Sequence, residues 1–140
     1  MLPRLRDSLL IGLAFARLAL GAEVIADIRY ESPGSNANLL DLYLPDGGAL
    51  PGAPTIVYIH GGGWSGGDKA IGSAYCRTLA DMGYPAVSCN YTLSTPTEPS
   101  FPQAVIDVKN VVRWVKDAGA AQYGLHGPVI ATGSSAGGHL

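Results

Sequence analysis

Thr55-Ile56-Val57-Tyr58-Ile59 constrains the fold more tightly than any other stretch of this chain, because it has no wet face. A half-exposed strand alternates apolar and polar residues. An uninterrupted β-prone run instead belongs to a strand covered on both sides, as in the interior of a parallel sheet. Ala86-Val87-Ser88-Cys89 and Val129-Ile130-Ala131-Thr132 read the same way. Parallel neighbours cannot be joined by a tight hairpin, so helical crossovers are expected between these runs.

The intervening segments supply them. Lys69 to Met82 carries Ala70, Ala74, Leu79 and Met82 at helical spacing, with Gly83 as its stop. Val105, Val108, Val112 and Val115 recur three and four apart and form one apolar stripe. Ser100-Phe101-Pro102-Gln103 resembles a capping box opening that helix, and Gly119 is its expected end. Two shorter β-prone runs, Val24 to Tyr30 and Leu39 to Leu44, come first, separated by the turn cluster Ser32-Pro33-Gly34-Ser35-Asn36. The expected fold class is α/β, a mostly parallel sheet with flanking helices, in one domain over residues 23–140.

Hydrophobic residues make up 47% of the 140 and charged residues 14%, which excludes a disordered chain. The formal net charge of -2 lacks the basic footprint of a nucleic-acid binder. Cys76 and Cys89 are too few for a disulfide scaffold and read as packed free thiols. Residues 1–22 have two readings. Arg4 and Arg6, the apolar run Ser8 to Ala16, and small residues at Ala19 and Gly21 fit a secretory signal peptide. Arg17 interrupts that run, as it would in a cytoplasmic N-terminal helix. Export and a cytoplasmic location are therefore weighted equally. The run is too short for a stable membrane span, which needs about 20 apolar residues.

Two loops carry the chemistry. Gly133-Ser134-Ser135-Ala136-Gly137 follows the last strand-like run and has the G-x-S-x-G form of a nucleophile elbow. Its physics is steric: Ser135 occupies a strained turn that lifts its hydroxyl above the sheet, and the flanking glycines allow strand and helix to approach closely. His60-Gly61-Gly62-Gly63-Trp64 follows the first buried strand. With 19 glycines in the chain, His-Gly-Gly-Gly would arise by chance only about 0.007 times. Attack on an acyl carbon creates an oxyanion that needs preorganised backbone N–H donors. Gly61 and Gly62 are the expected donors, completed by Ala136, while His60, Gly63 and Trp64 support the loop. A phosphate-cradling glycine loop is disfavoured, because neither a Walker lysine pattern nor G-x-G-x-x-G is present.

These two motifs, together with Leu40-Asp41-Leu42-Tyr43-Leu44-Pro45, Gly67-Asp68-Lys69, Asn90-Tyr91 and Gly133 to Leu140, resemble the α/β-hydrolase superfamily. The nearest pattern is that of hormone-sensitive-lipase-like and feruloyl-esterase-like carboxylesterases. The resemblance covers the chain from about Ala26 onward. It implies an α/β-hydrolase fold with Ser135 as nucleophile, small ester or acyl substrates processed through an acyl-enzyme, and neither metal nor organic cofactor.

The pattern is incomplete in one respect. In this superfamily the acid and then the histidine follow the serine along the chain. Only Ala136, Gly137, Gly138, His139 and Leu140 follow Ser135 here. His139 falls on the elbow helix and reads as a packed residue, and His126 as a solvated loop residue. The expectation is the N-terminal part of a hydrolase whose C-terminal half is missing, inactive as this chain alone. A non-catalytic fragment or interaction module of the same fold is the alternative. Asp107 is expected to brace a loop, Trp114 to pack, and Asp68 and Lys69 to pair with each other or with the loop.

Overall fold

The computed structural model describes residues 21–31 and 34–140. Among the described residues five strands form one sheet: β1 (Glu23–Arg29), β2 (Leu39–Leu44), β3 (Thr55–Ile59), β4 (Ala86–Cys89) and β5 (Val129–Gly133). Their order is β1-β2-β4-β3-β5. β2 runs antiparallel to both β1 and β4, whereas β3 is parallel to β4 and to β5. The sheet is therefore mixed but mostly parallel in direction, since only β2 opposes the others. The expected strands Val24 to Tyr30 and Val129 to Thr132 differ from β1 and β5 by a residue at their ends. The proposed signal peptide lies outside the described residues except for Gly21 and Ala22. Among the described residues no helix is long and apolar enough to cross a membrane.

Two layers of helix cover the sheet. Alternate residues of β2, β3 and β4 (Leu40, Leu42, Val57, Ile59, Val87, Cys89) pack against Ala104, Val108, Val111, Trp114 and Val115 of the long helix. The other parity (Tyr43, Ile56, Ala86) packs against Cys76 and Ala80. This two-sided burial is the reason the central runs lack polar alternation. Cys76 and Cys89 are buried free thiols, and Trp114 packs in the core.

The helices depart from expectation in four places. A 3₁₀ turn over Lys69–Gly72, capped by Asp68 accepting from Ala70 N at 2.8 Å, precedes α1 (Ser73–Asp81). Lys69 turns away from Asp68 and bridges Asp27 at 2.9 Å and Asp41 at 2.8 Å. No capping box forms at Ser100, which bonds Ser94, while the Gln103 amide bonds Asp107 within α2 (Gln103–Trp114). Gly119 does not end that helix. The chain passes through a π-helical turn, Val115–Gly119, into α3 (Ala120–Tyr123), and Gly124 at φ 72° ends it. Ala120, Ala121 and Gln122 favour helix strongly enough to carry the chain past a glycine. At Gly119 a side chain would press on Leu125, so the residue is a close-packing position. α4 (Ala136–His139) follows β5.

Candidate active site

The sequence dictates a conflict where β5 meets α4. The strand must turn sharply into a helix, and the turn falls on a residue with a Cβ. Ser135 adopts φ 48° and ψ -116°, a strained conformation for a non-glycine residue. Its neighbours make the turn possible. A side chain at Gly133 would strike the backbone of Gly137, and one at Gly137 would strike the Ile59 carbonyl. Ser135 itself is exposed. Among the described residues no imidazole or carboxylate hydrogen-bonds its hydroxyl.

The triple-glycine loop lies against this elbow. A Cβ at Gly61 would lie 2.9 Å from Ser134 O and 3.3 Å from Ser135 Cβ, so only glycine allows the two backbones this close. Ser134 N donates to Ile59 O at 3.2 Å, and Gly61 N donates to Ser134 Oγ at 3.1 Å. The Gly61 donor is therefore already occupied. The N–H groups of Gly62, Gly63 and Ala136 donate to no protein acceptor among the described residues.

His60 lies beneath the loop, 1% exposed. Its Nδ1 is 2.7 Å from Gly61 O; a carbonyl can only accept, so Nδ1 carries the hydrogen. Nε2 is buried with no hydrogen-bond partner among the described residues. The ring stacks on Tyr91 with centroids 4.4 Å apart, and Tyr91 Oη donates to His60 O at 3.0 Å. Burial raises the Tyr91 pKa, keeping its hydroxyl a donor. His60 is thus tied down by its ring at Gly61 O and by its own carbonyl at Tyr91. Gly67 admits the ring, since a Cβ there would sit 2.6 Å from His60 Nδ1.

Trp64 closes the loop at φ 61°, its carbonyl held by Ser94 N at 2.7 Å. Its indole meets His139 edge-on at 5.4 Å. Both line an apolar cavity of about 330 Å³ with Phe101, Val105 and Leu140. His139 is therefore committed to the Trp64 side of α4, one turn beyond Ser135. His126 lies in an exposed loop and lines a different cleft, with Ala53 and Thr55. Asp107 is fully buried and braces the segment after β4, accepting from Thr92 N at 2.7 Å. Three contributors are given no role by the sequence reading: Tyr58, Ser134 and Ser94; Tyr91 enters there only as part of a family-like tract. Tyr58 was masked by its apolar run, and Ser134 occupies an unspecified place in the G-x-S-x-G pattern.

An elbow serine on a strand-to-helix turn, facing a glycine loop from the neighbouring parallel strand, defines the α/β-hydrolase class. Residues 40–140 match the BD-FAE family model, and the chain belongs to that family. It is 41% identical over 118 residues to the probable carboxylic ester hydrolase LipM of Mycobacterium tuberculosis, covering 81% of this chain and 26% of LipM. It is 34% identical over 119 residues to esterase LipQ of the same organism, covering 82% of this chain and 27% of LipQ. Among solved structures it resembles esterase B from Lactobacillus rhamnosis inhibited by a tributyrin phosphonate, with TM-score 0.72 and 31% identity over 88% of this chain and 39% of that one. A truncated carbohydrate esterase from gut microbiota aligns with TM-score 0.73 and 28% identity, covering 87% of this chain and 42% of that one. The chain thus spans about a quarter of the length of these curated relatives.

Proposed function

We propose that this chain carries the nucleophile and oxyanion-binding loops of a serine carboxylic ester hydrolase acting on small ester or acyl substrates. Ser135 Oγ attacks the carbonyl carbon as an imidazole base takes its proton, and the carbonyl π bond opens to an oxyanion; collapse expels the alcohol, which receives that proton, and water deprotonated by the same base cleaves the acyl-enzyme to the acid and free Ser135. The oxyanion is held by the N–H groups of Gly62 and Ala136, with Gly63 next in line. Gly61, first expected as a donor, is reassigned as the anchor because its N–H already serves Ser134. His60 and Trp64 hold the loop without taking protons. The observation that carries this reading is the strained, exposed Ser135 packed against a glycine loop that retains unpaired amides.

Expressed alone, the 140 residues are expected to turn over short p-nitrophenyl esters little or not at all, because no described base contacts Ser135. The decisive test uses the native protein. A fluorophosphonate probe should modify Ser135, and Ser135→Ala should abolish labelling and lower kcat by about 10⁴-fold or more. A protein that never labels, or that keeps its turnover without this hydroxyl, is a non-catalytic member of the fold or uses another nucleophile.

A further inference from the structure

The β3–β5 ladder runs in regular parallel register up to Ile59 and Gly133. Ser134 N continues it by donating to Ile59 O at 3.2 Å. In a regular parallel ladder the same residue's carbonyl would accept the N–H of residue 61, two positions further along the partner strand. Here the elbow turns that carbonyl into α4, where it accepts from Gly137 N at 2.8 Å. The Gly61 N–H would be left without its ladder partner. Ser134 Oγ takes it at 3.1 Å, and Tyr58 Oη lies 3.2 Å from the same oxygen. One residue therefore grips the chain on both sides of His60, the end of β3 by its main chain at Ile59 and the glycine loop by its hydroxyl at Gly61.

We propose that Ser134 is a positioning residue: its hydroxyl replaces the ladder carbonyl lost at the elbow and fixes the glycine loop in register with Ser135, backed by Tyr58. This rests on the hydrolase reading above. A hydrogen bond at Gly61 sets the position of the next amide, Gly62, relative to the nucleophile, which is the residue immediately after Ser134. Oxyanion stabilisation depends steeply on such placement. An alanine at 134 would keep the main-chain bond to Ile59 and release only the Gly61 end. A threonine would retain the hydroxyl.

The test compares the native protein with its Ser134→Ala, Ser134→Thr and Tyr58→Phe variants. Two quantities are read: the second-order rate of Ser135 phosphonylation and the hydrogen-exchange rate of the Gly61 amide by NMR. Ser134→Ala is expected to slow phosphonylation and to accelerate Gly61 exchange by about tenfold each, the scale of one hydrogen bond. Ser134→Thr should return both to within about threefold of wild type, and Tyr58→Phe should fall between. Unchanged rates in Ser134→Ala overturn the proposal, as does a threonine variant no better than alanine. Faster exchange with unaltered phosphonylation reduces the hydroxyl to a structural tie and also overturns it. A wild-type protein that does not label at Ser135 removes the functional reading and the positioning role with it, while the Gly61 exchange contrast still shows whether the strut exists.

Discussion

Gly137 and Gly138 are adjacent and look interchangeable in a sequence, yet their surroundings differ sharply. A side chain at 137 would overlap the carbonyls of Ile59, the last residue of β3, and of the buried His60, and this backbone cannot yield. At 138 the nearest atom is Gly133 O at 3.2 Å, a contact that a shift of a few tenths of an ångström relieves. Gly137→Ala is therefore expected to cost about 3 kcal/mol or more, and Gly138→Ala to stay within about 1 kcal/mol because helix propensity offsets the crowding. Urea denaturation of the two variants separates them, and equal losses would show that the elbow tolerates spreading. The elbow itself was legible because G-x-S-x-G states a steric requirement. The commitment of the Gly61 amide was not, since it depends on where the Ser134 carbonyl goes after the turn.

Helix α2 shows how an element can serve the site without touching it. Asp107 is fully buried, yet its carboxylate accepts from Thr92 N and from Gln103 Nε2, both at 2.7 Å. The segment it braces continues to Ser94, whose N–H holds the Trp64 carbonyl at 2.7 Å. Asp107→Ala leaves the Thr92 donor without that acceptor and is expected to destabilise by about 2–3 kcal/mol. Gln103→Ala, whose partner retains a second bond, should cost about 1 kcal/mol or less. A denaturation midpoint equal to wild type for Asp107→Ala would contradict the bracing role. The valine spacing revealed this helix and its buried face. The end at Gly124, five residues beyond Gly119, was hidden because a glycine in a sequence does not say whether it stops a helix or lets Leu125 pack.

The whole molecule places its ionisable groups so that alkali opposes the fold. Burial pushes both thiols up to about 12 from an ordinary 9.0, aided by the charge of Asp41 at Cys76 and of Cys76 and Asp107 at Cys89. Burial opposes the charged form of Lys69, but hydrogen bonds to Asp41 and Asp27 outweigh it and raise its pKa. A group with a raised folded pKa stabilises fully below its unfolded value and loses that contribution as pH climbs toward the folded one. Thermal stability should thus fall steadily between pH 9 and pH 12, each thiol contributing on the order of 1 kcal/mol per pH unit. A Tm profile flat to pH 11, or rapid reaction of native thiols with a disulfide reagent at pH 8, would refute this. At the same scale β5 lies at one end of the sheet order and, among the described residues, pairs only with β3. Ile130 on it is 48% exposed, although its run reads as a fully buried strand.

By itself the sequence determined the strand runs, the valine-faced helix, and the two loops whose glycines announce close backbone approach. Each is a local requirement, written in period or in the absence of a Cβ, and so it survives without coordinates. Only the tertiary structure decided the rest: that Lys69 reaches Asp27 and Asp41, that His60 lies under the loop with Nδ1 as donor, and that the Ser134 hydroxyl stands in for a missing carbonyl. Those outcomes are contests between partners distant in sequence for one donor or acceptor. A linear pattern names the competitors, but geometry alone picks the winner.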